Sequence, residues 1–149
     1  MLLSTNMFIV SACLVGINCK YNGDNNTQES IIEYLKDKNY VPICPEQLGG
    51  LTTPRNPVEI IGDQFLDNEG TDYTKQFEKG AKESLKIVKL MKTIDGIILK
   101  EGSPSCGVNK IYDGTFTNQK IKGTGCTAKL LKEEGYTVFS EKELLEKIK

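Results

Sequence analysis

The residues able to do chemistry in this chain are five cysteines, Cys13, Cys19, Cys44, Cys106 and Cys126, with no histidine anywhere. Without imidazole the chain lacks the commonest metal ligand and the commonest general base near neutral pH, so any metal must rely on sulfur and oxygen. Thiolates suit soft metals and iron-sulfur clusters, yet no C-x2-C pair marks a zinc ribbon or a ferredoxin-type run. Cysteine is also among the residue types most often buried, so each one taken alone reads equally well as packing. An odd number cannot pair fully. The first six residues, MLLSTN, have neither the basic start nor the apolar core of a signal peptide and are expected to form a flexible extension. The expected compartment is therefore cytoplasmic, where structural disulfides are disfavoured and the cysteines stay thiols.

Which thiols meet depends on the elements that carry them. MFIVSACL (7–14) is an apolar, β-branched run that predicts a buried strand, followed by the turn-rich loop VGINCKYNGDNN. A helix is expected from Thr27 as N-cap, with Ile31, Ile32 and Leu35 on its inner side. The next strand is YVPIC (40–44), where Pro42 implies either a late start or a position that needs no N–H. The stretch PEQLGGLTTPRNPVEIIGDQFLDNEG holds at most a small hairpin around VEIIG and QFLDN, and loops of that length are usually functional or disordered. Tyr73, Phe77, Ala81, Leu85 and Val88 recur at helical spacing and predict an amphipathic helix from about Asp72 to Lys92, capped by Thr71 or Asp72. Then come the strand GIILK, a hairpin in KIYDGTF, a helix through TAKLLKEEG, the strand YTVFS, and a last helix, EKELLEKIK, capped by Ser140. This alternation predicts a single α/β domain over residues 7–149, a mainly parallel central sheet flanked by helices in Rossmann-like layers. Ligands of such sheets bind outside the carboxyl ends of the strands.

That topology gathers the thiols. Cys13 ends the first strand, Cys44 ends the second, and Cys106 lies a few residues beyond GIILK in the turn SPSCG, so all three fall at one edge. Three thiolates can hold an iron-sulfur cubane with one iron left open to act as a Lewis acid. Gly49, Gly50 and Gly107 are either ordinary turn glycines or positions where backbone N–H groups approach the sulfurs. The chain's 149 residues suit one ordinary domain. Its net charge of −1, from interspersed signs, argues against the broad basic face that nucleic acid requires. Its apolar runs fall far short of the roughly 20 residues that cross a bilayer. The partner expected is a small molecule, with no nucleic acid and no membrane.

The segments SACLVGINCKYNG, VPICPEQLGGLTTPR, LKEGSPSCG, IYDGTF and GTGCTAKLLKEEGYTVFSEKEL resemble the thiouracil desulfidase family, long known only as domain-of-unknown-function family 523. The likeness runs over essentially the whole chain from Met7, and CPEQLGGL-TPR and SPSCG are its most specific parts. It implies an α/β fold, a 4Fe-4S cluster held by Cys13, Cys44 and Cys106, and removal of sulfur from a thiolated pyrimidine of the 2-thiouracil type, base or nucleoside. The products would be the oxo base and sulfide. It further implies that Glu46, of CPE, and Ser103 assist the reaction. A soft thiocarbonyl sulfur would coordinate the open iron so that water attacks the ring carbon while Glu46 takes or relays the proton. Such clusters are oxygen-labile, so a crystal grown in air is expected to show an empty pocket or a disulfide instead.

On residue type alone, Glu46 reads as a solvated or Arg55-paired charge, and Ser103 as a turn residue satisfying a backbone N–H, a role compatible with the other. Cys19 is an alternative ligand, a thiol beside the ligands, or a transient sulfur acceptor. Cys126, where the family tends to have a small apolar residue, reads as packing at a helix start. The loop KGTGC is a weak anion-site signal. YNGD, where Tyr-Asp-Gly is usual, is a second departure. Two other classes compete: a non-catalytic metal or cluster module, and a cluster-free enzyme with Cys106 as nucleophile and Glu46 as base.

Overall fold

A computed structural model of the chain describes residues 6–148. In chain order the elements are β1 (Met7–Ser11), a 3-10 turn (Ala12–Val15), α1 (Glu29–Leu35), β2 (Asn39–Ile43), the single-turn α2 (Pro45–Leu48), β3 (Val58–Ile61), β4 (Gln64–Asp67) and α3 (Thr74–Lys89). They continue with β5 (Gly96–Leu99), β6 (Lys110–Tyr112), β7 (Lys120–Lys122), α4 (Cys126–Glu133), β8 (Val138–Ser140) and α5 (Glu141–Lys147).

Four strands form one sheet in the order β2-β1-β5-β8, and every neighbouring pair is parallel, as the alternation of strand and helix predicts. β5 is buried at all four positions, which is why it reads as an unbroken apolar run: a parallel strand covered on both faces has no polar side. Ile9, Ile97 and Leu99 face one way and pack with Val88 of α3 and Leu131 of α4. Phe8, Val10 and Ile98 face the other way and pack with Ile31 and Leu35 of α1 and Leu144 of α5. The result is three layers. From β1 the chain steps outward to β2 and later returns past β1 to β5 and β8, so its winding reverses between β1 and β5. A crevice opens there at the carboxyl ends of the strands.

Several boundaries differ from expectation for local reasons. The run 7–14 is strand only to Ser11; Ala12–Val15 curls into the 3-10 turn, closed by Gly16 at φ 99°. Cys13 therefore lies in the turn beyond the strand. α1 begins at Glu29, because Asn25 Oδ1 takes both the N–H and the hydroxyl of Thr27 and removes it from capping. β2 is an edge strand, where the missing N–H of Pro42 costs no ladder bond. The long Pro- and Gly-rich stretch holds α2 and the antiparallel β3/β4 hairpin. α3 runs Thr74–Lys89, with Asp72 Oδ1 accepting the Thr74 N–H at 2.8 Å from just outside the cap residue Tyr73. α5 is capped as expected, by Ser140 and Glu143 hydrogen-bonding reciprocally. Of the extension expected over 1–6, residues 1–5 lie outside the described residues; the Asn6 carbonyl accepts from Asn39 N–H at 3.2 Å. No helix among the described residues is long and apolar enough to cross a membrane.

Candidate functional site

The crevice is a cleft of about 520 Å³, and Cys13, Cys19, Cys44, Glu46, Ser103 and Cys106 all line it. Every site residue anticipated from the sequence thus meets in one place. None of the five cysteines is in a disulfide. Cys126 stands apart: its thiol donates to the Phe77 carbonyl at 3.5 Å, it packs with Leu51, Phe65 and Phe77, and burial pushes its pKa up to about 11. It is a packing thiol.

The three arms present their sulfurs differently. Cys13 is half-buried in the 3-10 turn, and desolvation raises its pKa against the opposing hydrogen bond of the Asn26 side chain. Cys44 directly precedes α2, its sulfur 3.8 Å from the Cys19 carbonyl and 3.9 Å from Glu46 Oε1. The hydrogen bond from the Cys19 thiol holds Cys44 below the ordinary thiol range; burial and the Glu46 carboxylate oppose it, and the Gln47 N–H and Arg55 support it. Cys19 is pushed up in return, first by that same hydrogen bond and then by burial. Cys106 is buried, and desolvation pushes its thiol well above the ordinary value, with Glu46 adding to the shift.

Ser103 links the Cys106 arm to Glu46. Its hydroxyl donates to Glu46 Oε2 at 3.1 Å while the same oxygen accepts the N–H groups of Ser105 and Cys106, each at 3.0 Å. The turn role considered for this serine is thus filled, and the same hydroxyl also reaches Glu46. Arg55 directs its guanidinium at the Thr52 carbonyl, the Thr53 hydroxyl and the Cys19 carbonyl, tying that loop to the cleft. The N–H groups of Gly49, Gly50 and Gly107 donate to the carbonyls of Pro45, Gln47 and Ser103. Being so engaged, they fit the ordinary turn role rather than an approach to sulfur.

Residue patterns did not single out what holds the Cys106 turn. Glu101, 5% exposed, accepts on Oε1 the N–H groups of Val108, Asn109 and Lys110 at 2.7, 2.8 and 3.0 Å. Burial pushes this carboxyl up, but those three backbone bonds outweigh it and leave the pKa below its ordinary value of 4.5. The Glu101 N–H in turn donates to buried Glu141 at 2.7 Å, and Glu141 pairs with Lys100 at 3.3 Å. The one sequence signal was an acid wedged between the apolar GIIL and the SPSCG turn.

Among the described residues, no group of three His, Cys, Asp or Glu closes on a point fit for a single metal ion. Cys13, Cys44 and Cys106 instead surround a shared volume. That suits a cluster, in which each thiolate binds a different iron and the sulfurs need not converge on one centre. The donor set, all sulfur in a largely desolvated pocket, fits the same group.

A family model for 2-thiouracil desulfurase matches residues 8–143. The uncharacterized protein YbbK of Bacillus subtilis (strain 168) is 45% identical over 148 residues, covering 93% of this chain and 97% of that one. Among solved structures, the 4Fe-4S-dependent thiouracil desulfidase TudS matches with a TM-score of 0.85 at 37% identity, over 95% of each chain.

Proposed function

The chain belongs to the 2-thiouracil desulfurase family, and on that premise we propose that it removes sulfur from a thiolated pyrimidine with a 4Fe-4S cluster held by Cys13, Cys44 and Cys106. What supports this most is the cleft itself, which sets three cysteines from three different strand ends around the hydrogen-bonded Glu46–Ser103 pair. When bound, the cluster would supply an electrophilic iron for the soft thiocarbonyl sulfur. Water adds to the ring carbon and sulfide leaves, so that C=S becomes C=O with no net oxidation or reduction.

The protein's own groups handle the proton and the orientation. Glu46 takes the proton from the attacking water, a role its carboxylate can fill because Ser103 fixes Oε2 with one hydrogen bond and leaves Oε1 towards Cys44. Ser103 is itself immobilised by the two N–H groups it accepts, so the carboxylate is held before substrate arrives. Cys19 acts as a hydrogen-bond donor to Cys44 rather than as a ligand. A cluster-free nucleophile at Cys106 fits less well, because a desolvated sulfur favours the unreactive thiol.

Anaerobically reconstituted protein incubated with 2-thiouracil should release sulfide and uracil in equal amounts. An intact cluster with no turnover of any thiolated pyrimidine would remove the enzyme assignment.

A further inference from the structure

Resting on the desulfidase reading, we propose that the turn between β6 and β7 is the ring-recognition wall of the cleft. Phe116 is the face on which a planar pyrimidine stacks, and Asn118 is the group that reads its edge. Both residues line the cleft that holds Cys44, Glu46 and Ser103. They are also the two non-glycine residues among those described whose backbone is left-handed, at φ 58° and 61°. For a bulky aromatic residue that conformation is costly, and it persists only where the surroundings over-determine it.

Here they do. Asp113 Oδ1 accepts from both the N–H and the hydroxyl of Thr115, and the Thr115 and Thr117 hydroxyls hydrogen-bond each other. The Asp113 N–H closes the turn on the Gln119 carbonyl at 2.9 Å. Opposite lies Glu59 of β3, 7% exposed, whose Oε1 accepts the N–H of Gly114 at 2.9 Å and of Phe116 at 3.1 Å. Gly114 permits this approach: its φ is +92°, and a Cβ there would stand 2.9 Å from the Ile60 carbonyl oxygen. A buried carboxylate committed to two N–H groups of a strained turn is a positioning residue, and what it positions is an aromatic ring and an amide at the cleft.

The chemistry of those two groups selects the ligand. An aromatic face accepts any flat heterocycle by stacking. A carboxamide offers a donor and an acceptor side by side, matching a ring N–H beside a ring carbonyl. Neither group supplies a proton or a sulfur ligand, so their contribution is to binding.

The test pairs titration of uracil, the product base, with steady-state turnover of 2-thiouracil, using cluster-loaded protein. Phe116→Ala should weaken uracil binding and raise KM by about tenfold, the loss expected for one stacked base. Its kcat should stay within about twofold, as uniform binding predicts. Phe116→Tyr should restore both, and Asn118→Ala should weaken both by about fivefold, in the range of a lost neutral hydrogen-bond partner. Glu59→Ala should reproduce the Phe116→Ala pattern with the iron content of the wild type. Wild-type uracil affinity and KM in Phe116→Ala would overturn the wall while leaving the desulfidase reading intact. Uracil binding that depends on Phe116, without sulfide release from 2-thiouracil by the wild type, would overturn the desulfidase reading and leave the wall. A wild type that neither binds uracil nor turns over 2-thiouracil would overturn both.

Discussion

The Cys44 turn and the Cys106 turn reach the same cleft, but only the second is also anchored by a buried carboxylate. The Cys44 turn is held by shape. The backbones of α2 and α3 lie so close that a Cβ on Gly49 would stand 2.0 Å from the Gln76 carbonyl oxygen, and one on Gly80 2.1 Å from that of Pro45. The Cys106 turn is packed nearly as closely, a Cβ on Gly107 standing 2.4 Å from the Lys110 carbonyl oxygen, but it is held in addition by charge, through three N–H groups on Glu101 and the Glu141–Lys100 pair behind it. Shape contacts ignore pH and salt, whereas a buried carboxylate is only as good as its ionisation. The sulfurs differ in the same sense. Cys44 is half-buried with its pKa held below the ordinary thiol value, whereas Cys106 is buried and pushed well above it, so loading a metal there must expel a proton.

Removing the charge should do more damage than disturbing the shape. Glu101→Ala removes three hydrogen bonds to a buried carboxylate and strands the Val108 donor, and at about 1.5–3 kcal/mol for each bond to a charged group the loss should exceed about 3 kcal/mol in urea unfolding. Gly80→Ala forces α2 away from α3 and should cost about 1–3 kcal/mol, as overpacking does. A larger loss for Gly80→Ala would break the comparison.

Acid should sharpen it. The Glu101 pKa is lower folded than unfolded, so its stabilisation is complete above the ordinary value near 4.5 and is lost as pH falls through the folded value. Stability measured from pH 7 downward should fall more steeply in wild type than in Glu101→Gln, whereas Gly80→Ala should keep the wild-type slope. Equal slopes for wild type and Glu101→Gln would show that the carboxylate does not set the acid limb. The smallest effect belongs to neither arm. Ser140→Ala, which removes the capping box of α5, should cost about 1 kcal/mol with iron content unchanged.

Periodicity and turn chemistry made the parallel sheet and the α5 cap legible, because each is a local consequence of residue type, and Pro42 narrowed its strand to a late start or a position that needs no N–H, of which the edge position is the second. The convergence of Cys13, Cys44 and Cys106 followed from topology, since successive strand ends must share an edge. The supports of the site were not legible. Glu59 sits in an apolar strand and Glu101 just past one, and neither position says which N–H groups its carboxylate will accept. The hydrogen bond of Cys19 to Cys44 spans a separation that no spacing rule covers. Thr27 misled for the converse reason: a good capping residue was captured by Asn25 two positions earlier.

The measurement that bears most directly on the site is iron content after anaerobic reconstitution of the wild type and of Cys13→Ser, Cys44→Ser, Cys106→Ser and Cys19→Ser. The expected result is about four irons per chain in the wild type and in Cys19→Ser, with loss of iron in each of the other three. Full iron in Cys44→Ser, or loss confined to Cys19→Ser, would contradict the assignment of Cys13, Cys44 and Cys106 as the three ligands.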